Sequence, residues 1–93
     1  MSMKHTITIE YCPRCGWMLR AAWMVQEMLT TFQQELRSVT LVPSETGGAY
    51  KIWVDDVLIF DRQQDAGFPE IKILKQRVRD HINPQKSLGH ADR

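Results

Sequence analysis

The chain has 93 residues, 43% hydrophobic and 25% charged, with 12 Lys+Arg against 11 Asp+Glu and a net charge of +1. That length suits a single domain with no second core, and the charge balance argues against a nucleic-acid binder, which needs a basic excess to neutralise phosphates. No apolar run approaches the ~20 residues that cross a bilayer, and the start Met1-Ser2-Met3-Lys4-His5-Thr6 lacks a secretory layout; the expectation is a cytoplasmic protein without membrane association.

His5 to Tyr11 alternates, with Ile7, Ile9 and Tyr11 on the side of His5 and Thr6, Thr8 and Glu10 on the other, which predicts a strand. The turn Cys12–Gly16 follows. From Trp17 to about Arg37 there is no Gly or Pro. Met18, Ala22, Val25, Leu29, Phe32 and Leu36 recur there at helical spacing, predicting one long amphipathic helix with that face buried. Trp17, Ala21, Met24 and Met28 form a second apolar stripe beside it. So wide a face is either all core or a cover for the sheet that also touches a partner, a homodimer included.

Val39 to Pro43 reads as a short strand and Ser44-Glu45-Thr46-Gly47-Gly48 as a loop. Ala49–Val54 and Val57–Asp61 read as hairpin strands joined by Asp55-Asp56. A tight turn wants a positive φ at its second position, which Asp56 tolerates less well than Gly. Arg62–Phe68 reads as a polar loop, and Pro69 as the first residue of a second helix with Glu70 in its first turn. Ile71, Leu74, Val78 and Ile82 mark its buried stripe, and Asn83-Pro84 stop it. The expected folded part is residues 4 to 84, with 85–93 a polar, frayed tail. The order β-α-β-β-β-α, with a right-handed βαβ crossover and a hairpin, defines an α/β class: a two-layer sandwich of thioredoxin type on a mixed four-stranded sheet.

Cys12-Pro13-Arg14-Cys15 carries the chemistry. Residues three apart at a helix start share a face, as a disulfide requires. Pro13 pre-sets a helical φ, and a cap position with Arg14 nearby favours a thiolate at Cys12. A cytoplasmic chain has little use for a permanent disulfide, so the pair reads as redox-active. Two alternatives stand beside this reading. One is a zinc site, for which only His5, His81 and His90 could join the cysteines, without finger-like spacing. The other is an inert buried pair. No metal is assigned, and the histidines, with no evident partner at short range, receive no catalytic role.

Tyr11-Cys12-Pro13-Arg14-Cys15, Gly47-Gly48, Tyr50–Val54, Gly67-Phe68-Pro69-Glu70 and the run Leu74 to Asp80 together resemble the selenoprotein W-related (Rdx) family, over residues 4 to about 84. The resemblance implies a thioredoxin-like fold and a thiol redox role linked to glutathione or oxidant defence. It also implies that Cys15 occupies the position that holds selenocysteine in selenium-containing relatives. The cap argument favours Cys12 and the family pattern Cys15, so the attacking residue stays open. Two departures stand out: Ala66, where many relatives carry Gly, and Asp56, where the hairpin usually has Gly.

Other residues are weighed beside the pair. Gly16 closes the motif; Trp17 is either core or an exposed platform; Gly67 and Phe68 could line the rim; Pro69 reads as a helix-start proline rather than a cis-proline. Lys72, Lys75 and Arg79, with Arg77 adjacent, form either a solvated basic face or an anion-attracting patch. The leading expectation is a thiol–disulfide redox protein with no bound cofactor, exchanging with glutathione or a protein thiol. The alternatives are a redox-sensing adaptor presenting Trp17, Met24 and Phe68 to a partner, and a zinc-bound interaction module.

Overall fold

A computed structural model describes residues 4–89. Met1, Ser2, Met3, His90 and the last three positions of the tail lie outside that range. The elements are β1 (His5–Tyr11), a 3-10 turn (Pro13–Cys15), α1 (Met18–Thr31), β2 (Leu36–Pro43), β3 (Tyr50–Val54), β4 (Val57–Asp61), α2 (Arg62–Asp65) and α3 (Ile71–Ile82). The sheet order is β2-β1-β3-β4; β1 runs parallel to β2 and antiparallel to β3, and β3 is antiparallel to β4. This is the expected two-layer thioredoxin-like sandwich, with both long helices on one face. Ile7, Ile9, Ile52 and Val54 point from the central strands to meet Met24, Met28, Leu74 and Val78.

The observed helix α1 differs from expectation at its end and in its buried face. It stops at Thr31, because Phe32 leaves the helical region and the amides of Glu35 and Leu36 both turn back onto the Phe32 carbonyl. Leu36 and Arg37 therefore open β2 rather than close the helix. The buried stripe is Ala21, Met24 and Met28, with Phe32 below it, while Met18 and Leu29 stay exposed. Two adjacent apolar stripes competed for the core: Ala21, Met24 and Met28 of the second took it, while of the expected first stripe Phe32 and Leu36 are buried and Val25 is only part-buried against it.

Smaller corrections follow the same logic. Arg62–Asp65 forms one helical turn, capped by the Asp61 carboxylate, which accepts from the Gln63 amide at 3.0 Å. Pro69 precedes α3 by two residues, and Glu70 is the cap. In the hairpin the positive φ falls on Asp55 (φ 53), not on Asp56. Asp55 holds that conformation because its carboxylate accepts from the Thr6 amide at 3.1 Å and pairs with His5 at 2.8 Å. His5 thus has the carboxylate partner that short-range reading missed, fifty positions away. The start of the tail is docked, not frayed. Lys86 reaches Glu35 at 3.3 Å, Asn83 donates to the same oxygen at 3.1 Å, and Leu88 packs on the core. Burial alone would raise the Glu35 carboxyl, but these two partners hold it below its ordinary value.

Candidate functional site

Register gathers the candidate residues at one rim of the sheet. Tyr11, the last residue of β1, lies opposite Pro43 of β2 and Tyr50 of β3, and Lys51 lies opposite Asp61. The carboxyl ends of β1, β2 and β4 therefore open onto the same side, where the Cys12 turn, the 44–49 loop and the Gly67-Phe68 loop meet. Crevices beyond the carboxyl ends of parallel strands are where α/β folds place ligands.

Cys12 continues β1 in extended conformation and is only 1% exposed; Cys15 is exposed. Their sulfurs are joined, with Cα atoms 5.4 Å apart. The turn that carries them is not the first turn of α1. The Cys15 and Gly16 amides fold back on the Cys12 and Pro13 carbonyls, and Gly16 then takes a left-handed φ of 76 before α1 begins. Glycine adopts such a φ without the steric cost that other residues meet there. The expected placement of Cys12 at the α1 cap is thus corrected: Trp17 is the cap residue, two positions after Cys15 and five after Cys12. Arg14 projects beside the 44–49 loop, its guanidinium 3.9 Å from where a Cβ on Gly47 would sit.

Behind the turn lies an aromatic trio. Trp17 meets Phe68 edge-on at 4.8 Å and Tyr50 at 6.1 Å, and Tyr50 meets Phe68 at 5.1 Å. Trp17 and Phe68 are half-buried, so each serves as core and rim at once. Tyr50 is fully buried; its hydroxyl donates to the Met24 sulfur at 3.0 Å, and burial pushes its phenol far above the ordinary range against the opposing pull of Arg20. Met24 is therefore interior and no part of a docking surface. Gly67, with φ 141, turns the chain so that Phe68 enters the trio. Pro69 follows outside it, half-buried; among the described residues no peptide bond is cis.

The basic residues sort in an unexpected way. On α3, Lys75 pairs with Glu27 at 2.9 Å, Arg77 with Asp65 at 3.1 Å and Arg79 with Asp80 at 2.7 Å, which ties most of that basic face into internal contacts. At the sulfur rim, Arg20 lies 4.0 Å over the Phe68 ring, and Arg62 lies 4.9 Å over Trp17 and 5.2 Å over Phe68. Among the described residues Arg14, Arg20 and Arg62 have no carboxylate partner, and the Arg62 Nε is buried without a hydrogen bond. Sequence reading missed Arg20, Tyr50 and Arg62. Arg20 was traceable, being three residues after Trp17 on the same helix face; Tyr50 and Arg62 become neighbours only through register. Also among the described residues, no three His, Cys, Asp or Glu side chains converge as metal ligands, and no helix is long and apolar enough to cross a membrane.

A thioredoxin-like sheet with a joined CxxC pair at the mouth of its central strand defines a thiol redox protein of small size. The chain belongs to the Rdx family, whose profile matches residues 6–80. It is 52% identical to a selenoprotein W-related protein from Vibrio cholerae, whose crystal structure superposes with a TM-score of 0.83, covering 87% of this chain and all of that one. A protein of Bordetella parapertussis matches similarly, at 52% identity and a TM-score of 0.82 over 86% of this chain and all of the other. No curated protein matches.

Proposed function

We propose that the protein is a cytoplasmic thiol–disulfide exchanger in redox homeostasis or oxidant defence, with Cys15 as the sulfur that meets the partner and Cys12 as the resolving one. The unequal exposure of the two cysteines carries this reading: an incoming thiolate can reach Cys15 but not Cys12. A thiolate RS⁻ attacks the Cys15 Sγ, the Cys12–Cys15 bond breaks, a Cys15–S–S–R mixed disulfide forms, and Cys12 leaves as a thiolate and takes a proton. A second thiolate then attacks the sulfur that carries R, releasing RSSR while Cys15 leaves as a thiolate and takes a proton, so the protein ends with two thiols and two electrons have passed to it from two thiols. Run in reverse, the dithiol reduces a disulfide. The rim formed by Arg14, Arg20 and Arg62 supports a partner that carries carboxylates, and glutathione is the abundant cellular thiol of that kind.

The test is mass spectrometry of two single variants treated with glutathione disulfide. Cys12→Ser is expected to trap one glutathionyl group on Cys15, and Cys15→Ser to trap none. Equal trapping on both, or on neither, overturns the assignment. Wild-type protein that oxidises once without accelerating glutathione-disulfide reduction would place it with redox-sensing adaptors instead.

A further inference from the structure

Beside the buried stripe of α1 runs a second apolar flank of Met18, Ala22, Val25 and Leu29, in which Ala22 and Val25 are half-buried, Val25 against the core, while Met18 is 45% and Leu29 41% exposed. Glu27, paired with Lys75 of α3, lies roughly half a turn round the helix axis from this flank, which therefore faces away from α3. Helix α1 packs chiefly over β2, and β2 is the sheet edge remote from β4. The apolar flank thus overhangs an open strand edge. Along that edge Ser38-Val39-Thr40-Leu41-Val42 carries no charge and is rich in β-branched residues, without the lysines that usually blunt an edge. The β4 edge differs, since the Arg77 guanidinium donates to the Ile59 carbonyl there at 3.1 Å.

We propose that this edge and flank form the interface of a homodimer, with β2 pairing antiparallel to β2 of a second copy about a twofold axis at Thr40. The segment is self-complementary in that register. Thr40 meets its own counterpart, Val39 meets Leu41, and Ser38 meets Val42, with no like charges opposed. Val39 and Leu41, aligned with Ile7 and Ile9, point to the helix layer, so their cross-pairs lie beneath the two α1 flanks. A foreign extended peptide would satisfy the strand edge and leave the helix flank bare. Covering both requires a partner with a strand and a helix in this same arrangement, which a second copy has. A stable pair needs about a tenth of a small protein's surface from each partner, here on the order of 600 Å² of the 5878 Å², and the strand edge and helix flank together are the area available to supply it. Antiparallel pairing sets the two Cys12–Cys15 turns at opposite ends of an eight-stranded sheet, both open.

Sedimentation equilibrium of the full chain, over a concentration series, tests this. Wild type is expected at twice 10.9 kDa. Leu29→Lys and Thr40→Lys, both at solvent-facing positions, are each expected to raise the dissociation constant by about tenfold or more with an unchanged far-UV spectrum. If one variant fails to fold, the other carries the test. Wild-type protein that sediments as a monomer throughout, leaving the edge to some other protein, overturns the proposal; so does a dimer that the folded variants leave undiminished.

Discussion

Ala66 lies in the left-handed region, with φ 56 and ψ 48, at the end of the single-turn helix α2. An L-residue held there costs roughly 1–2 kcal/mol, and Ala66→Gly removes that cost. Glycine also frees the unfolded chain, which offsets roughly 0.4–1 kcal/mol of the gain. The methyl group is exposed, so its deletion loses no packing. The net expectation is a stabilisation of roughly 0.5–1 kcal/mol, which for a chain of 93 residues raises Tm by about 2–6 °C. Thermal and urea unfolding followed by far-UV circular dichroism measure it, on oxidised protein so that the sulfur state stays fixed. Ala66→Val serves as the opposite control, since a β-branched residue suffers more at positive φ and must lower Tm. A glycine variant no more stable than wild type refutes the reasoning. The strained loop leads directly into Gly67 and Phe68, so the same variant reports how much strain is held beside the aromatic trio.

Two further expectations concern titration. The Tyr50 phenol is raised by burial, so it stays neutral in the folded protein while the unfolded chain ionises near pH 10. Its contribution is complete below that pH and drains as pH rises above it; Tyr50→Phe should lose less stability than wild type between neutral and strongly alkaline pH, read by urea unfolding. The Asp55 carboxyl is lowered, chiefly by the hydrogen bond from His5 and then by the Thr6 amide. That contribution is present above the ordinary aspartate range and is lost as pH falls through the lowered value, so His5→Leu should unfold at a higher pH in acid titration. The exposed setting keeps its effect at neutral pH below about 1 kcal/mol; equal acid midpoints for variant and wild type would count against the pair.

Much of the fold was legible because local signals were clean. The alternation of His5 to Tyr11 and the spacing of Leu74 and Val78 each admit one arrangement, and both appear as expected. The run after Trp17 was ambiguous for a physical reason. Its two apolar stripes are adjacent on the helix, and periodicity fixes a face only to within a neighbouring row of side chains. Its end was hidden because Gln33, Gln34 and Glu35 favour helix as readily as the turn they make. At the site, the CxxC pair and Phe68 were visible in the chain itself. Arg14 was visible as well, and Arg20 was traceable from its spacing to Trp17, but Arg62 was not, because it meets Trp17 and Phe68 only after the sheet brings distant segments to one rim. Neither reading of the α3 cations, a solvated face or an anion-attracting patch, anticipated their internal pairing, because nothing local marks Glu27 and Asp65 as partners of Lys75 and Arg77.

Gly16 has a mechanical consequence. Its reversal of backbone hand separates the sulfur-bearing segment from the rod of α1 on one side, while on the other the buried Cys12 directly continues β1, an interior strand of the sheet. Opening and closing the sulfur bond can then be absorbed by torsions between Pro13 and Gly16, as a clasp swings on a rigid frame. Neither the alignment of the strands nor the seat of the helix has to change between the two chemical states.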